Sequence, residues 1–199
     1  MIHLMGVDHA RAQRKPCGLA PTELQRYYQS LVESAIQKLN PDLLAEEDHP
    51  SYLAADGAES ILAPIAESHG IPHIFVETDR ATQLGLGYKD LNMIQDLLAA
   101  RGTPSAVLAN AHKFAHQFPI RERFWLEQLG RTAASNILLV FGDSHIPSFT
   151  GLLCARQIPF SIVAERVGID TANSVEYEGL QYALDHKMFG ASACFCLGN

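Results

Sequence analysis

The sequence predicts an α/β fold, a doubly wound and mostly parallel sheet of about five strands with helices on both faces, built as a single domain over residues 1–199. Two observations predict it. Short runs that are apolar on both faces alternate with segments of helical period. Polar residues, above all His9 and His145, follow the ends of those runs, where an open α/β sheet binds its ligands.

Leu4-Met5 opens the chain as the first strand. Leu24, Tyr28, Leu31, Ala35 and Leu39 then recur at three- and four-residue steps, with Thr22 and Gln25 as a capping box and Asn40-Pro41 as the stop. Leu43-Leu44-Ala45 is the second strand. A helix follows from Ala58, Ile61, Leu62, Ile65 and Ala66, closed by Gly70; Asp56-Gly57-Ala58-Glu59 reads as its start, with Glu59 at the third helical position. Ile74-Phe75-Val76 is the third strand, and His73, ahead of it, is expected at the wrong edge. Residues 80–120, with Gly85-Leu86-Gly87 and Pro104, are the least regular stretch, a candidate lid or dimer contact, although Leu91 to Ala100 has helical period. Ile120, Phe124 and Leu129 mark a further helix, and Ile137–Phe141 the fourth strand. Leu152-Leu153 sits in a short helix before the fifth strand, Phe160–Val163, and Ser174 to Asp185 is the last helix.

The length is enough for a real core. Hydrophobic residues make up 47% and charged residues 19%, which argues against wholesale disorder. The formal charge is −7 and no Lys/Arg run occurs, so neither nucleic acid nor an anionic membrane surface is an expected partner. Ile2-His3-Leu4-Met5-Gly6 lacks the pattern of a secretory signal, and no apolar stretch approaches membrane-spanning length. Cys17, Cys154, Cys194 and Cys196 are too scattered for a disulfide framework, and a cytoplasmic location is expected. Cys194-Phe195-Cys196 has no second Cys/His pair at zinc-ligand spacing.

The strand ends carry the chemistry. The first run leads into Gly6-Val7-Asp8-His9, the second into Glu46-Glu47-Asp48-His49 and the third into Glu77-Thr78-Asp79-Arg80; the fourth leads into Gly142-Asp143-Ser144-His145 and the fifth into Glu165-Arg166. The duplicated Gly-x-x-His is the most informative pattern. Glycine permits a sharp exit from the strand, and the histidine three residues on can reach back over the edge. Two neutral imidazoles with a carboxylate form a divalent-metal set, with Mn, Co and Zn not distinguished; without metal they can perform general acid/base chemistry. Period-two alternation does not choose between Glu46 and Glu47. Asp79-Arg80 can orient an anionic group or form an ordinary ion pair, and Arg121 and Arg123 lie on a polar helix face. His112 and His116 can share a helix face but lack H-E-x-x-H. Walker, G-x-G-x-x-G and G-x-S-x-G patterns are absent.

Ile2 to His9, Gly57-Ala58-Glu59 through Asp79-Arg80, and Arg121-Glu122-Arg123 through His145 together resemble the TraB/Tiki group, within a wider set that includes erythromycin-esterase and ChaN-like haem-binding proteins. The resemblance spans roughly residues 2–165 and is closer to compact bacterial members. It implies that His9, His145 and one of Glu46/Glu47 form a catalytic or metal-binding core, with Arg121 near an anionic group. The chain departs from the group in carrying Asp8 and Asp143 inside the motifs.

The leading expectation is a hydrolase of a small-molecule or peptide substrate, in which Asp79 and Arg121 position groups around the histidines and a carboxylate. The alternatives are a non-catalytic binder of haem or another small ligand, for which Tyr27, Tyr28 and the histidines are candidate ligands, and a structural or regulatory subunit. A homodimer is a further expectation.

Overall fold

A computed structural model describes residues 1–103, 105–168 and 174–189; Pro104 and the Cys194-Phe195-Cys196 motif lie outside them. In chain order the elements are β1 (Ile2–Val7), β2 (Arg14–Pro16), α1 (Glu23–Leu39), β3 (Leu43–Glu46), α2 (Pro50–Asp56), β4 (Ala58–Ser60), α3 (Leu62–His69) and β5 (His73–Phe75). Then come α4 (Arg80–Gly85), α5 (Leu91–Ala100), α6 (Ala106–His112), α7 (Phe118–Gly130), β6 (Ile137–Gly142), α8 (Ile146–Ala155), β7 (Phe160–Val167) and α9 (Val175–Asp185). Two compact units emerge: Met1–Asp79 with Trp125–Asp143 and Pro159–Ile169, and Arg80–Phe124 with Ser144–Ile158 and Asp170–Asn199.

The first unit holds the sheet. All five predicted strands form, and they run parallel in the order β5-β3-β6-β1-β7. Both faces are covered, because successive residues Leu4 and Met5, and Leu138 to Phe141, are all fully buried. Met5, Val7, Leu44, Leu138 and Val140 pack on one face against Tyr28, Val32 and Ala35 of α1 and Leu62, Ile65 and Ala66 of α3. On the other face the ring of Trp125, from α7, lies edge-on to Phe141. The caps are as predicted for α1: Thr22 and Gln25 form the capping box, and Asn40 closes the helix at φ 47°.

The stretch after Asp56 departs from its expected form. His49 and Pro50 start α2 earlier, and Gly57 terminates it in the left-handed region at φ 59°. The chain leaving Gly57 is therefore extended, and Ala58–Ser60 pairs with β2 as a short antiparallel ribbon. Glu59 is no helix cap; it lies opposite Lys15 and forms an ion pair with it.

The second unit is helical. The least regular stretch of the sequence is mostly α4, α5 and α6, followed by a π-helical turn, Lys113–Gln117, that leads into α7. Asp90 caps α5 by accepting from the Met93 N–H, and Ser105 caps α6 by accepting from the Leu108 N–H. Of the two glycines that suggested irregularity, Gly85 is the last residue of α4 and Gly87 lies in the loop after it at positive φ, as Gly102 does after α5. Phe114, Phe118 and Leu180 form one core cluster, and Ile94, Leu98 and Ala109 another. Among the described residues, no helix is long and apolar enough to cross a membrane.

Candidate active site

In the first unit, β1 and β6 are hydrogen-bonded neighbours that end together, with Val7 opposite Gly142. Both Gly-x-x-His motifs therefore leave adjacent strands at the carboxyl edge of the sheet, His9 two residues beyond Val7 and His145 three beyond Gly142.

At the end of β1, the Asp8 N–H donates to Val167 O and the Asp8 carboxylate accepts from the Arg11 N–H, which starts a π-helical turn over His9–Gln13. That turn stacks His9 and Gln13 four residues apart, with His9 Nδ1 3.0 Å from Gln13 Oε1. Gln13 is fully buried, and its amide orientation is fixed from behind. Its Nε2 donates to Glu46 Oε2 at 2.9 Å and points to Glu47 O at 3.4 Å, and both of those are acceptors. Gln13 Oε1 must then be the carbonyl, so His9 carries its proton on Nδ1 and presents a lone pair on Nε2.

Glu46 ends β3 with no exposed surface. Its Oε1 accepts from Ser60 Oγ and from His73 Nε2 at 2.8 Å, and its Oε2 accepts from Gln13. Both oxygens are engaged, and through Gln13 the carboxylate is an anchor behind His9. His73, expected at the wrong edge, pairs with Leu44 as the first residue of β5 and lies on the same sheet face as Glu46, so its ring reaches the carboxylate two residues along the neighbouring strand. Burial, and then the Glu46 charge, raise the pKa of the Tyr28 hydroxyl well above its ordinary value.

Glu47 Oε2 accepts the Gly142 N–H at 2.7 Å, tying the end of β3 to the end of β6. Arg14 grips the buried Asp48 with two bonds of 2.7 and 2.9 Å. Burial nonetheless raises the Asp48 pKa, against the opposing effects of Arg14, His9 and the His49 N–H. Glu77 accepts from the Thr78 N–H at 2.8 Å and from the Trp125 indole at 3.3 Å. Asp79 is half-buried beyond β5. Of the two tyrosines considered as candidate haem ligands, Tyr27 is 56% exposed on α1 and Tyr28 is sealed in the core.

In the second unit, His145 is almost fully buried at the start of α8. Its Nδ1 lies 2.8 Å from Glu122 Oε1, which also accepts from Ser148 Oγ, and its ring stacks on Phe118 with centroids 3.5 Å apart. Glu122 has no exposed surface, and its Oε2 has no partner among the described residues. A carboxylate on Nδ1 fixes the same tautomer as at His9, with the proton on Nδ1. The half-buried Arg121 holds its guanidinium over the rings of Tyr88 and Phe118, at 5.6 and 5.9 Å. Arg80 is engaged by Asp90.

His9, Glu46, Glu47 and Asp79 thus belong to the first unit, and His145 and Arg121 to the second. The sequence reading missed Gln13, Ser60, Glu122 and Ser148. For Glu122 a signal existed: with Phe118, Trp125 and Leu129 it falls on one face of α7, and all four are buried. A glutamate on an apolar stripe is a buried carboxylate in search of a donor. Gln13, on a single π-helical turn, offers no such period.

Among the described residues, no group of three or more His, Cys, Asp or Glu side chains is gathered to hold a metal ion. The His112 and His116 rings lie 5.2 Å apart, as their spacing suggests, without a third ligand. Compared with models of protein families, with curated proteins and with solved structures, the chain matched none.

Proposed function

We propose that the chain is a hydrolase of small-molecule or peptide esters or amides, with the Nε2 atoms of His9 and His145 as its working groups. One observation carries the reading: each imidazole has its Nδ1 held by an acceptor that is, or is anchored by, a fully buried carboxylate. That arrangement orients the imidazole, fixes its tautomer and strengthens Nε2 as a base. In the proposed step, Nε2 takes a proton from water as the water oxygen attacks the substrate carbonyl. The imidazolium then returns the proton to the leaving group as its bond to carbon breaks. Glu122, 2.8 Å from His145, offsets the transient positive charge. Glu47, Asp79 and Arg121 are the proposed positioning groups around the substrate.

An imidazole oriented through its Nδ1 also suits a divalent ion such as Mn, Co or Zn, which would supply a bound water of lowered pKa. Among the described residues no group of three or more His, Cys, Asp or Glu donors is gathered, and the proposed reaction needs no metal.

A panel of chromogenic esters and peptide amides, assayed after chelation and again with each metal, tests the proposal. His9→Ala and His145→Ala should each lower turnover by about 10²–10⁴-fold. Full activity in both variants would end this reading.

A further inference from the structure

A cavity of about 280 Å³ in the second unit plays no part in the proposed reaction. One wall is a stripe at four-residue steps, Ala115, Pro119 and Arg123; the other is a face of α8 that includes Gly151, Leu152 and Ala155. Small residues face each other along these walls, so no side chain fills the gap. Phe189, packed on the Phe114–Phe118 cluster, also lines it.

The chemistry of the lining is selective. Arg123 is its one charged residue, it is exposed, and it has no carboxylate partner among the described residues. Ser148 also lines the cavity, but its hydroxyl proton is committed to Glu122. The remaining lining side chains are apolar. A guanidinium beside an apolar trough complements a ligand with one carboxylate and a hydrocarbon body, since its planar fork matches a carboxylate with two parallel hydrogen bonds. The volume lies just under the ~300 Å³ at which pockets for drug-sized ligands begin, so the occupant is small.

We infer that this cavity binds a medium-chain aliphatic monocarboxylate, its carboxylate on Arg123 and its chain between α7 and α8. The inference does not depend on the hydrolase reading. Because Ser148 both lines the cavity and bonds to the Glu122 that holds His145, an occupant would touch the support of that histidine.

Calorimetric titration of the full chain with octanoate, and separately with octanamide, tests the proposal by binding alone. Saturable one-to-one binding of octanoate is expected, with octanamide about tenfold weaker because it lacks the charge. Arg123→Gln should weaken octanoate by about the same factor and leave octanamide unchanged. Ala155→Leu, at an exposed position where folding is not at risk, should weaken both ligands about tenfold by filling the trough. The proposal is overturned by the absence of saturable octanoate binding, by equal affinity for acid and amide, or by affinity that ignores Ala155→Leu. None of these outcomes bears on the esterase and amidase assays with the histidine variants.

Discussion

Replacing Gln13 with leucine is the sharpest test of the His9 arrangement. The amide carbonyl lies 3.0 Å from His9 Nδ1, and the amide nitrogen is committed to Glu46 at 2.9 Å. Were the ring proton on Nε2, two lone pairs would face each other across that 3.0 Å. This tautomer forfeits a hydrogen bond of about 1 kcal/mol and leaves a buried acceptor unsatisfied at about 1–3 kcal/mol. The difference, ~2–4 kcal/mol, favours Nδ1–H by about 30-fold to 10³-fold. Leucine keeps the bulk and removes both bonds, so the preference should vanish. Long-range proton–nitrogen correlation spectra, recorded well above the imidazole titration range, report the tautomer directly. The same variant strips Glu46 Oε2 of its donor, so unfolding stability should fall by about 2–4 kcal/mol. Trp125, the only tryptophan, is fully buried in the first unit and reports that loss in urea titrations. A wild-type His9 found as the Nε2–H tautomer, or an unaltered ratio in Gln13→Leu, would refute the reasoning.

Other perturbations bear on the second unit. Gly179→Ala sets a helix-propensity gain of about 1 kcal/mol against a steric conflict, because the new Cβ would collide with Asn110 Cβ and lie 2.9 Å from the Val107 carbonyl oxygen. The backbone atom cannot rotate away, so a net loss of about 1–2 kcal/mol is expected; a melting temperature equal to wild type, followed by circular dichroism, would show that α6 and α9 do not pack this closely. Burial, helped by the His116 and Arg101 charges, lowers the His112 pKa. The unfolded chain then binds the proton more tightly, so stability is fully present above about pH 6.5 and falls as pH drops through the window below it. His112→Gln should flatten that slope in urea titrations at stepped pH, and an unchanged slope would remove His112 as its source.

The fold was largely legible. The five apolar runs became the five strands, and Thr22, Asn40, Gly70 and Ser174 bound their helices as read. These features are local: a cap or an apolar stripe is complete within a turn or two of chain. The errors were local as well. Gly57 closes α2, and reading it as part of a helix start made a cap of Glu59. The site was legible only in part. Both histidines and the glutamates at the end of β3 were visible as types at strand ends. Which of those groups face outward was not, because that depends on partners such as Gln13 and Glu46, 33 positions apart, or Glu122 and His145, 23 apart.

The amino-acid order alone determined that there would be alternating strands and helices, and that polar residues would collect at the strand ends, because hydrophobic period and capping act along the chain. Only the tertiary structure decided that β6 inserts between β3 and β1, which brings the two motif-bearing strands side by side. It also decided that Glu46 is spent on anchoring Gln13 while Glu122, unmarked in the sequence reading, holds His145. A buried carboxylate must find donors wherever the fold supplies them, and which donors those are is set by packing between distant segments.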